Sequence, residues 1–262
     1  MNLELENRHV LVTGGSRGIG LACAQAFLRE NCTVTIVARD AARLAAVRGE
    51  LERSAGRVAS YALDLIDADA ASRLVDRVES EHGPVDVLVN SAGDPPRKGH
   101  DQLHPADWLT ALQAKFMTCV NVTEPMLHRM AARGRGSVVN VIGLGGKFPA
   151  PGNLPGGAAN AALMFATAGW ASAWGHRGIR VNGVNPTITD TDLMQNAVAA
   201  EAQRRGLTSE QVLAEKVSGI PLRRPARPDE IADAVVFLAS ARASYISGVT
   251  LSADGASRAI IV

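Results

Sequence analysis

The strongest constraint on the fold of this chain is a repeated alternation of short apolar, β-branched runs with helical patterns. The apolar runs lie at 9–13, 33–38, 57–62, 85–90, 137–142, 179–184 and 249–251. Between them, apolar residues recur at helical spacing, as in the stripe of Ile19, Ala22, Cys23, Ala26 and Phe27. Near-continuous apolar strands are buried on both faces, which requires helices on both sides of a parallel sheet. The sequence therefore predicts an α/β fold with a doubly wound, parallel, seven-stranded sheet.

The length and organisation of the chain favour a single domain. Its 262 residues fall within the range of one large domain, and no low-complexity linker or fixed-period repeat separates the units. We predict one domain over 1–262. The least regular stretch, 187–224, carries helical patterns at 191–205 and 209–218. Because it follows the carboxyl end of a strand, where open α/β sheets bind ligands, we interpret it as a substrate lid.

Charge and cysteine content exclude several classes of protein. The 27 Lys and Arg residues balance 26 Asp and Glu residues, giving a net charge of +1 with no basic block, so nucleic-acid binding is not expected. Cys23, Cys32 and Cys119 are an odd number without a C-x-x-C pair. They indicate neither a disulfide framework nor a metal site, and we interpret them as small core residues.

Two segments bear on membranes and cellular location. The first residues lack a basic region followed by an apolar stretch, so no signal peptide is evident and a cytoplasmic protein is expected. Residues 154–175 carry no charge and are long enough to span a bilayer. They consist mostly of Gly and Ala with interspersed Asn, Thr and Ser, which favours a tightly packed helix in the core or at a subunit interface over a membrane span.

The first strand runs directly into a glycine-rich turn followed by a helical pattern. Glycines at this turn allow close approach of the backbone to a pyrophosphate, and the helix N-terminus offers unpaired N–H groups to the anion. An ordinary strand-to-helix turn is the alternative, but the position in the first β–α–β unit favours dinucleotide binding. The predicted cofactor-binding residues of this turn are Gly14, Ser16, Arg17, Gly18, Ile19 and Gly20.

The end of the second strand bears on the choice of nicotinamide cofactor. An acidic residue there would bind the ribose 2′-hydroxyl of NAD(H) but repel the 2′-phosphate of NADP(H). This chain has Arg39 instead, and Arg17 lies in the glycine-rich turn. Two guanidinium groups can hold one phosphate, so NADP(H) is favoured over NAD(H). Two alternatives stay open: both arginines are solvated surface charges, or Asp40 takes the hydroxyl role because the strand ends one residue later.

Motifs along nearly the whole chain resemble the short-chain dehydrogenase/reductase family. Besides the glycine-rich turn, the matching pieces are Asp64-Leu65, Asn90-Ser91-Ala92-Gly93, Arg180-Val181-Asn182 with Pro186, Arg227-Pro228-Asp229-Glu230-Ile231-Ala232, Tyr245-Ile246-Ser247-Gly248 and Ala253-Asp254-Gly255. The resemblance implies a Rossmann-type fold, a nicotinamide cofactor and usually a homotetramer. It implies that Asp64 faces the adenine and that the adjoining Leu65 also contacts the cofactor. It further implies contacts on the adenosine side from Asn90, Ala92 and Gly93. The nicotinamide carboxamide is expected to contact Pro186, Thr189 and Thr191.

The chain departs from this family at the positions that carry the chemistry. The family uses a Tyr as acid and base, a Lys four residues later, a Ser that polarises the carbonyl, and an Asn that holds a relay water. In register, these positions are occupied here by Gly156, Asn160, Gly143 and Lys115 respectively. The only tyrosines, Tyr61 and Tyr245, lie in other motifs. Since glycine brings no proton donor, the usual acid–base step cannot run at 143 or 156.

Two residues are the remaining candidates for catalysis. Lys115 is predicted to lie near the nicotinamide, where burial would lower its pKa and make it a better proton donor. Alternatively, its ammonium only replaces the missing lysine charge and bonds the ribose or a backbone carbonyl. Asn160 can bind ribose hydroxyls through its amide, but it lacks the field of a cation.

The sequence leads to one main functional hypothesis and two alternatives. The main one is an NADP(H)-dependent oxidoreductase that acts on a carbonyl or alcohol, with proton delivery by Lys115 or water. The alternatives are a cofactor-binding protein without redox turnover, and a lyase or isomerase that uses Lys115 as base. The expected partners are a small-molecule substrate and copies of the chain in a homotetramer or homodimer, with contacts from the Gly/Ala-rich segment and the apolar tail 259–262.

Overall fold

One parallel sheet of seven strands organises the molecule. The computed structural model describes residues 2–55, 57–95 and 97–258. The strands are β1 (His9–Thr13), β2 (Thr33–Ala38), β3 (Val58–Ala62), β4 (Val87–Asn90), β5 (Gly136–Val141), β6 (Ile179–Pro186) and β7 (Thr250–Ala253). Their order is β3-β2-β1-β4-β5-β6-β7, and all neighbours are parallel. The predicted single-domain, Rossmann-type fold is confirmed.

Nine α-helices connect and cover these strands within the described residues. They are α1 (Gly18–Arg29), α2 (Ala41–Ala55), α3 (Ala68–His82), α4 (Pro105–Ala111), α5 (Thr118–Arg133), α6 (Leu154–Trp174), α7 (Asp192–Arg205), α8 (Ser209–Ser218) and α9 (Pro228–Ala239). The strand order reverses between β1 and β4, and in open α/β sheets the crevice at such a switch point is where ligands bind.

The side chains of β1 show how the sheet holds two hydrophobic layers together. Val10 and Val12 pack into a cluster with α1 and α9, where Phe27 is completely buried. Leu11, which points the other way, packs into a second cluster with α3 and α5, including Met126. Successive residues of a strand face opposite sides, so a strand that is apolar at every position needs helices on both faces.

The predicted strand boundaries differ from the observed ones by one or two residues. β4 begins at Val87, although Asp86 already donates a backbone hydrogen bond to His9 at 2.9 Å. β6 continues to Pro186, beyond the predicted end at 184. Proline is tolerated in that last position because its missing N–H removes only one ladder bond at the strand end. The apolar tail at 259–262, expected to make subunit contacts, lies outside the described residues.

The helical stretch that precedes β5 is not α-helical over its whole length. Between α4 and α5, residues Leu112–Met117 form a π-helical segment. The Thr118 hydroxyl donates to the carbonyl of Gln113, five residues earlier, at 3.0 Å. A π-turn accommodates one extra residue and changes the direction in which the side chains around it point, and such segments are frequent at functional sites. Lys115 lies in this segment.

The predicted lid forms two helices with a small core of their own. Val198, Ala202 and Val212 are buried where α7 packs on α8. At the base of this excursion, Asp190 donates a backbone hydrogen bond to Ala226 at 2.8 Å, and Ala226 donates one to Ile188 at 2.9 Å. Both ends of the excursion are therefore tied to each other beside the end of β6.

Helix α6 accounts for the long uncharged segment of the sequence. It contains eight buried residues, among them Leu163 and Thr167. Within the part of the chain that the structure describes, none of the helices has the length and hydropathy needed to cross a membrane. Cys23, Cys32 and Cys119 are all buried free thiols, as expected of core residues.

Candidate active site

The glycine-rich turn lies at the switch point and leaves no room for side chains. Gly14 has a φ of +69°, and a Cβ there would come within 2.8 Å of the Ala92 nitrogen. The backbone nitrogens of Gly14 and Gly15 donate to the Val37 carbonyl at 2.8 and 3.2 Å. A Cβ on Gly20 would collide with the Gly14 carbonyl. The turn is thus pressed against the ends of β2 and β4, and its free surface is backbone.

The N-terminus of α1 faces this turn without a cap from any described side chain. Arg17 is the N-cap residue, and the first turn of the helix carries no acidic group. The unpaired N–H groups and the helix dipole therefore favour an anion here. Thr191 lies at the same place, since a Cβ on Gly18 would be 3.2 Å from its methyl carbon. Thr191 also caps α7 by accepting a hydrogen bond from the Met194 nitrogen at 3.3 Å.

The end of β2 answers the question that the sequence left open about Asp40. The strand ends at Ala38, and the Asp40 carboxylate accepts a hydrogen bond from the Arg43 nitrogen at 3.0 Å in the first turn of α2. Arg17 and Arg39 are exposed, and neither side chain forms a hydrogen bond or ion pair with any described residue. Two guanidinium groups at the ends of neighbouring strands therefore remain available, while the nearby carboxylate is used as a helix cap.

The turn after β4 forms the opposite wall of the cofactor crevice. The Thr13 hydroxyl accepts hydrogen bonds from the Ser91 and Ala92 nitrogens at 3.2 Å each. Gly93 has a φ of +107°, and a Cβ there would lie 3.0 Å from Cα of Lys115. The Asn90 side chain points into the core instead, so only its backbone faces the crevice.

Asn90 begins a buried polar chain beneath the site that sequence reasoning missed. Its Nδ2 donates to Thr123 Oγ1 and to Asn140 Oδ1, at 2.9 Å each. Asn140 Nδ2 in turn donates to Thr167 Oγ1 at 2.9 Å. The chain joins β4, α5, β5 and α6. The signal in the sequence was an asparagine at or next to the end of an apolar strand, where a buried polar side chain needs a hydrogen-bond partner.

The remaining predicted cofactor residues lie at the carboxyl ends of β3 and β6. Asp64 is exposed and bonds the Ile66 nitrogen at 3.1 Å, while Leu65 is buried. Asn121 of α5, which the sequence analysis did not single out, anchors this turn by donating to the Leu65 carbonyl at 2.9 Å. Pro186 ends β6, and Thr189 is buried in the turn that follows.

The loop between β5 and α6 is packed backbone against backbone. A Cβ on Gly146 would lie 2.8 Å from the Ala161 nitrogen, and one on Gly157 would lie 2.9 Å from the Gly145 carbonyl. Gly143 has a φ of +138°, which side-chain-bearing residues rarely adopt, and its nitrogen donates to Asn185 Oδ1 at 3.2 Å. The position where the family resemblance implies a Ser is therefore built for glycine.

Two asparagine amides fill the space beside Gly143 and Gly156. A Cβ on Gly143 would lie 3.0 Å from Asn160 Nδ2. A Cβ on Gly156 would collide with the Asn153 amide, at 3.0 Å from its Cγ and 3.1 Å from its Nδ2. The Asn160 residue is only 9% exposed, and its side chain forms no hydrogen bond with any described residue. The polar atoms of the Asn160 amide are not enclosed, so this amide is available to bind a ligand.

Lys115 is buried beneath this loop. It is 6% exposed, and its Nζ donates to the Val141 carbonyl at 2.8 Å. Burial lowers the pKa of Lys115 below its usual value, while the electrostatic effects of Cys119 and Asp94 act in the opposite direction. Burial also raises the pKa of the Cys119 thiol to about 12. The Lys115 ammonium can therefore release its proton more readily than an exposed lysine.

Both tyrosines of the chain lie in the described part and away from this cluster. Tyr61 is on β3, the edge strand, and its hydroxyl donates to Glu81 at 2.6 Å. Burial and this hydrogen bond raise the pKa of Tyr61 to about 12. Tyr245 is fully exposed. No group of three or more His, Cys, Asp or Glu side chains suited to a metal ion occurs among residues 2–55, 57–95 and 97–258.

Comparisons with known proteins agree with this geometry. The sequence family described as enoyl-(acyl carrier protein) reductase matches residues 14–256. The chain is 30% identical to gluconate 5-dehydrogenase of Gluconobacter oxydans, with 96% of this chain and 95% of the relative covered. It is 31% identical to 3-oxoacyl-(acyl-carrier-protein) reductase of Thermotoga maritima, with 97% and 98% covered.

A solved structure shares the whole architecture. L-sorbose reductase from Gluconobacter frateurii, complexed with NADPH and L-sorbose, superimposes with a TM-score of 0.92 at 28% identity, covering 97% of this chain and 98% of that one.

Proposed function

The chain belongs to the short-chain dehydrogenase/reductase family of oxidoreductases, and from this premise we propose that it transfers a hydride between NADP(H) and a carbonyl or alcohol substrate. The observation that carries the proposal is the pair of unpartnered guanidinium groups of Arg17 and Arg39, next to an Asp40 that caps a helix. This arrangement suits a 2′-phosphate, and one oxygen of the Asp40 carboxylate already accepts a hydrogen bond from α2. The NADPH complex of L-sorbose reductase supports the same assignment.

The described residues fit such a cofactor. The backbone of Gly14, Gly18 and Gly20 would hold the pyrophosphate at the N-terminus of α1, and a Cβ on Gly14 or Gly20 would collide with neighbouring backbone and distort the turn. Ser16 and Ile19 complete the turn. Asp64 and Leu65 would lie at the adenine, and the backbone of Asn90 with Ala92 and Gly93 would line the adenosine. Pro186, Thr189 and Thr191 would bind the nicotinamide carboxamide, and Asn160, the buried amide without a partner, would bind ribose hydroxyls.

Proton delivery is assigned to Lys115 or to a water that it orients. When bound, the cofactor supplies or accepts the hydride. The chain must then provide a proton without a tyrosine, since both of its tyrosines lie elsewhere. Lys115 is the buried ionisable group beneath Gly143, and its lowered pKa eases release of a proton. Positioned acid–base groups contribute about 10²–10⁴-fold to a rate, so removal of the Lys115 ammonium should lower the rate by a factor of this size.

The excursion 187–224 is proposed as the substrate lid. Its base is tied beside β6, next to the residues assigned to the carboxamide, and its helices α7 and α8 share a small core separate from the sheet. A segment with few buried contacts can open and close at low cost while its ends stay fixed. We place substrate between this lid and the β5–α6 loop.

A combined binding and turnover experiment tests the proposed function. NADPH and NADH are titrated by fluorescence, and NADPH oxidation is then followed with L-sorbose and with acetoacetyl-CoA as carbonyl probes. The proposal expects tighter binding of NADPH and oxidation above the rate without protein. Tight NADPH binding without oxidation of either probe would favour a cofactor-binding protein without redox turnover. Product formed at equal rates with NADPH and NADP⁺ would indicate a lyase or isomerase.

A further inference from the structure

The Asn153 amide occupies the space that a side chain at position 156 would need. Asn153 is the N-cap residue of α6, yet its side chain makes no capping hydrogen bond. Because Gly156 has no Cβ, the amide lies directly over the helix backbone at that position. Its Oδ1 is enclosed there without a hydrogen-bond partner. The Asn153 side chain neither caps the helix nor forms a hydrogen bond within the described structure, so neither role explains an asparagine at this position.

The other end of the same amide faces the site. Asn153 Nδ2 forms no hydrogen bond with a described residue and, unlike Oδ1, is not enclosed. A Cβ on Gly145 would lie 3.8 Å from this nitrogen and 3.7 Å from Asn160 Nδ2. The two donors therefore converge on the loop that follows β5, and Asn160 is a nine-tenths buried side chain without a partner in the described structure.

We infer that Asn153 is a catalytic residue whose Nδ2 donates a hydrogen bond to the oxygen of the reacting carbonyl. This inference rests on the proposed hydride transfer and adds a residue to it. Addition of the hydride to the carbonyl carbon breaks the C=O π bond, and that electron pair moves to the oxygen. The oxygen accepts the hydrogen bond from Asn153 while negative charge develops, and it then takes a proton from Lys115 or from water.

A neutral amide suits this role because it donates at every pH at which the protein is folded. A preorganised donor aimed at a developing oxyanion is worth about 10²–10³-fold in rate in other enzymes. Gly156 is the partner that makes the position available, since any Cβ there would displace the amide. The two residues should therefore behave as one unit in mutational analysis.

The first test measures hydrogen bonding to a ketone without turnover. The probe is butan-2-one labelled with ¹³C at the carbonyl, observed by NMR with the protein and NADP⁺. NADP⁺ cannot reduce this ketone, and the ketone has no hydroxyl group that NADP⁺ could oxidise. With the wild-type protein we expect a downfield displacement of the carbonyl signal on binding, because a hydrogen bond to oxygen withdraws electron density from carbon. Asn153→Asp, which has the same size but lacks the N–H donor when ionised, and Asn153→Ala should both abolish the displacement.

Gly156→Ala supplies an independent test with a matched control. Its Cβ would push the Asn153 amide aside, so the displacement of the carbonyl signal should be lost as in Asn153→Ala, and the double variant should be no worse than either single one. Gly49→Ala makes the same substitution within α2, where only the end of the Arg53 side chain lies within 4 Å of the added Cβ, at 3.6 Å, and should behave as wild type. In turnover of the same ketone, the three active-site variants should lose about 10²-fold in kcat/KM with unchanged affinity for NADPH.

The outcomes separate this inference from the proposed function. A wild-type signal that stays in place, or a displacement that survives in Asn153→Ala, overturns the role of Asn153. An additive loss in the double variant overturns the coupling to Gly156. Failure to bind NADPH, measured by fluorescence on the same samples, refutes the proposed function, and the ketone signal recorded with the protein alone then still decides whether Asn153 donates to a carbonyl.

Discussion

At the scale of single residues, the proposed preference for NADP(H) depends on two exposed charges, Arg17 and Arg39. They follow neighbouring parallel strands, and the turn that carries Arg17 is hydrogen-bonded to the end of β2 through the Val37 carbonyl. Exposed arginines are usually solvated and contribute little to stability, so a binding role for Arg17 and Arg39 depends on the groups around them. Here the one carboxylate that would compete for the ribose caps α2.

Arg39→Ala should weaken NADPH binding far more than NADH binding. A charge-assisted hydrogen bond is worth about 1.5–3 kcal/mol, so the dissociation constant for NADPH should rise about 10- to 100-fold. The measurement is a fluorescence titration of both cofactors. Arg48→Ala removes an equally exposed arginine of α2 that is paired with Glu52 and should change neither affinity. Equal losses of affinity for NADPH and NADH in Arg39→Ala would contradict the proposed contact between Arg39 and the 2′-phosphate.

The buried Lys115 should make stability depend on pH in a defined direction. Its pKa is lowered in the folded protein, so between that lowered value and about 10.5 the unfolded chain binds more protons. The free energy of unfolding of wild type, relative to Lys115→Met, should therefore increase as pH rises through this window and level off above it. Each unit of pKa shift contributes about 1.4 kcal/mol to the difference.

Denaturant titrations of both proteins at a series of pH values measure this difference. Comparison with Lys115→Met cancels the opposite trend from Cys23 and Cys32, whose raised pKa values make the folded state lose stability above pH 9. Both proteins also carry Cys119→Ala, because the titrations of Cys119 and Lys115 are coupled. A difference in unfolding free energy that does not change with pH would mean that Lys115 is not desolvated.

At the scale of elements, the sequence predicted what depends on local patterns. The glycine-rich turn and the β-branched runs placed the strands to within two residues. The π-helical segment Leu112–Met117 was not predictable, because one extra residue in a helix leaves no mark on the apolar pattern that α4 and α5 share. Nor could the sequence reveal that Gly146 and Gly157 pack against backbone, since such contacts join separate elements. The accessible Nδ2 of Asn153 could not be predicted either, because it depends on the same contacts between separate elements.

The lid proposal predicts a specific pattern of amide hydrogen exchange. In the protein alone, α7 and α8 should exchange faster than α6, because their core is limited to a few residues such as Val198 and Val212. Addition of NADPH and a carbonyl substrate should slow exchange in 187–224, while exchange in α3, whose apolar residues pack with those of α5, stays the same. Protection that is equal with and without ligand would show that 187–224 does not close over the site.

At the scale of the whole molecule, α6 links the site to the surface. Its inner face carries Gly156, Asn160 and Thr167, whereas its outer face exposes Phe165, which is 84% accessible, among Ala and Gly residues without any charge. Exposed apolar stripes of this kind mark association surfaces. A second copy of the chain packed on α6 would stiffen the helix that holds both asparagine amides.

Phe165→Glu should therefore lower the mass of the particle in solution. We expect wild type to sediment as a homodimer or homotetramer and the variant to shift to a smaller species, because a carboxylate in an apolar interface is left desolvated and unpaired. Sedimentation velocity measures both. The variant Ala173→Glu, at another exposed position of α6, tests how far the interface extends towards the carboxyl end of this helix. A wild-type monomer would exclude this surface as an interface.

The central claim, hydride transfer without a phenol, can be tested on a protein that contains no tyrosine. Because the chain has only two tyrosines, the variant Tyr61→Phe with Tyr245→Phe removes every phenol, including those of a neighbouring copy of the chain. The measurement is the transfer of deuterium from NADPH labelled at C4 to the carbinol carbon of the product, as a function of substrate concentration. We predict kcat/KM within about twofold of wild type, since both side chains lie away from the site and surface changes have small effects. A loss of about 10²-fold or more, the usual contribution of a positioned acid, would contradict the account.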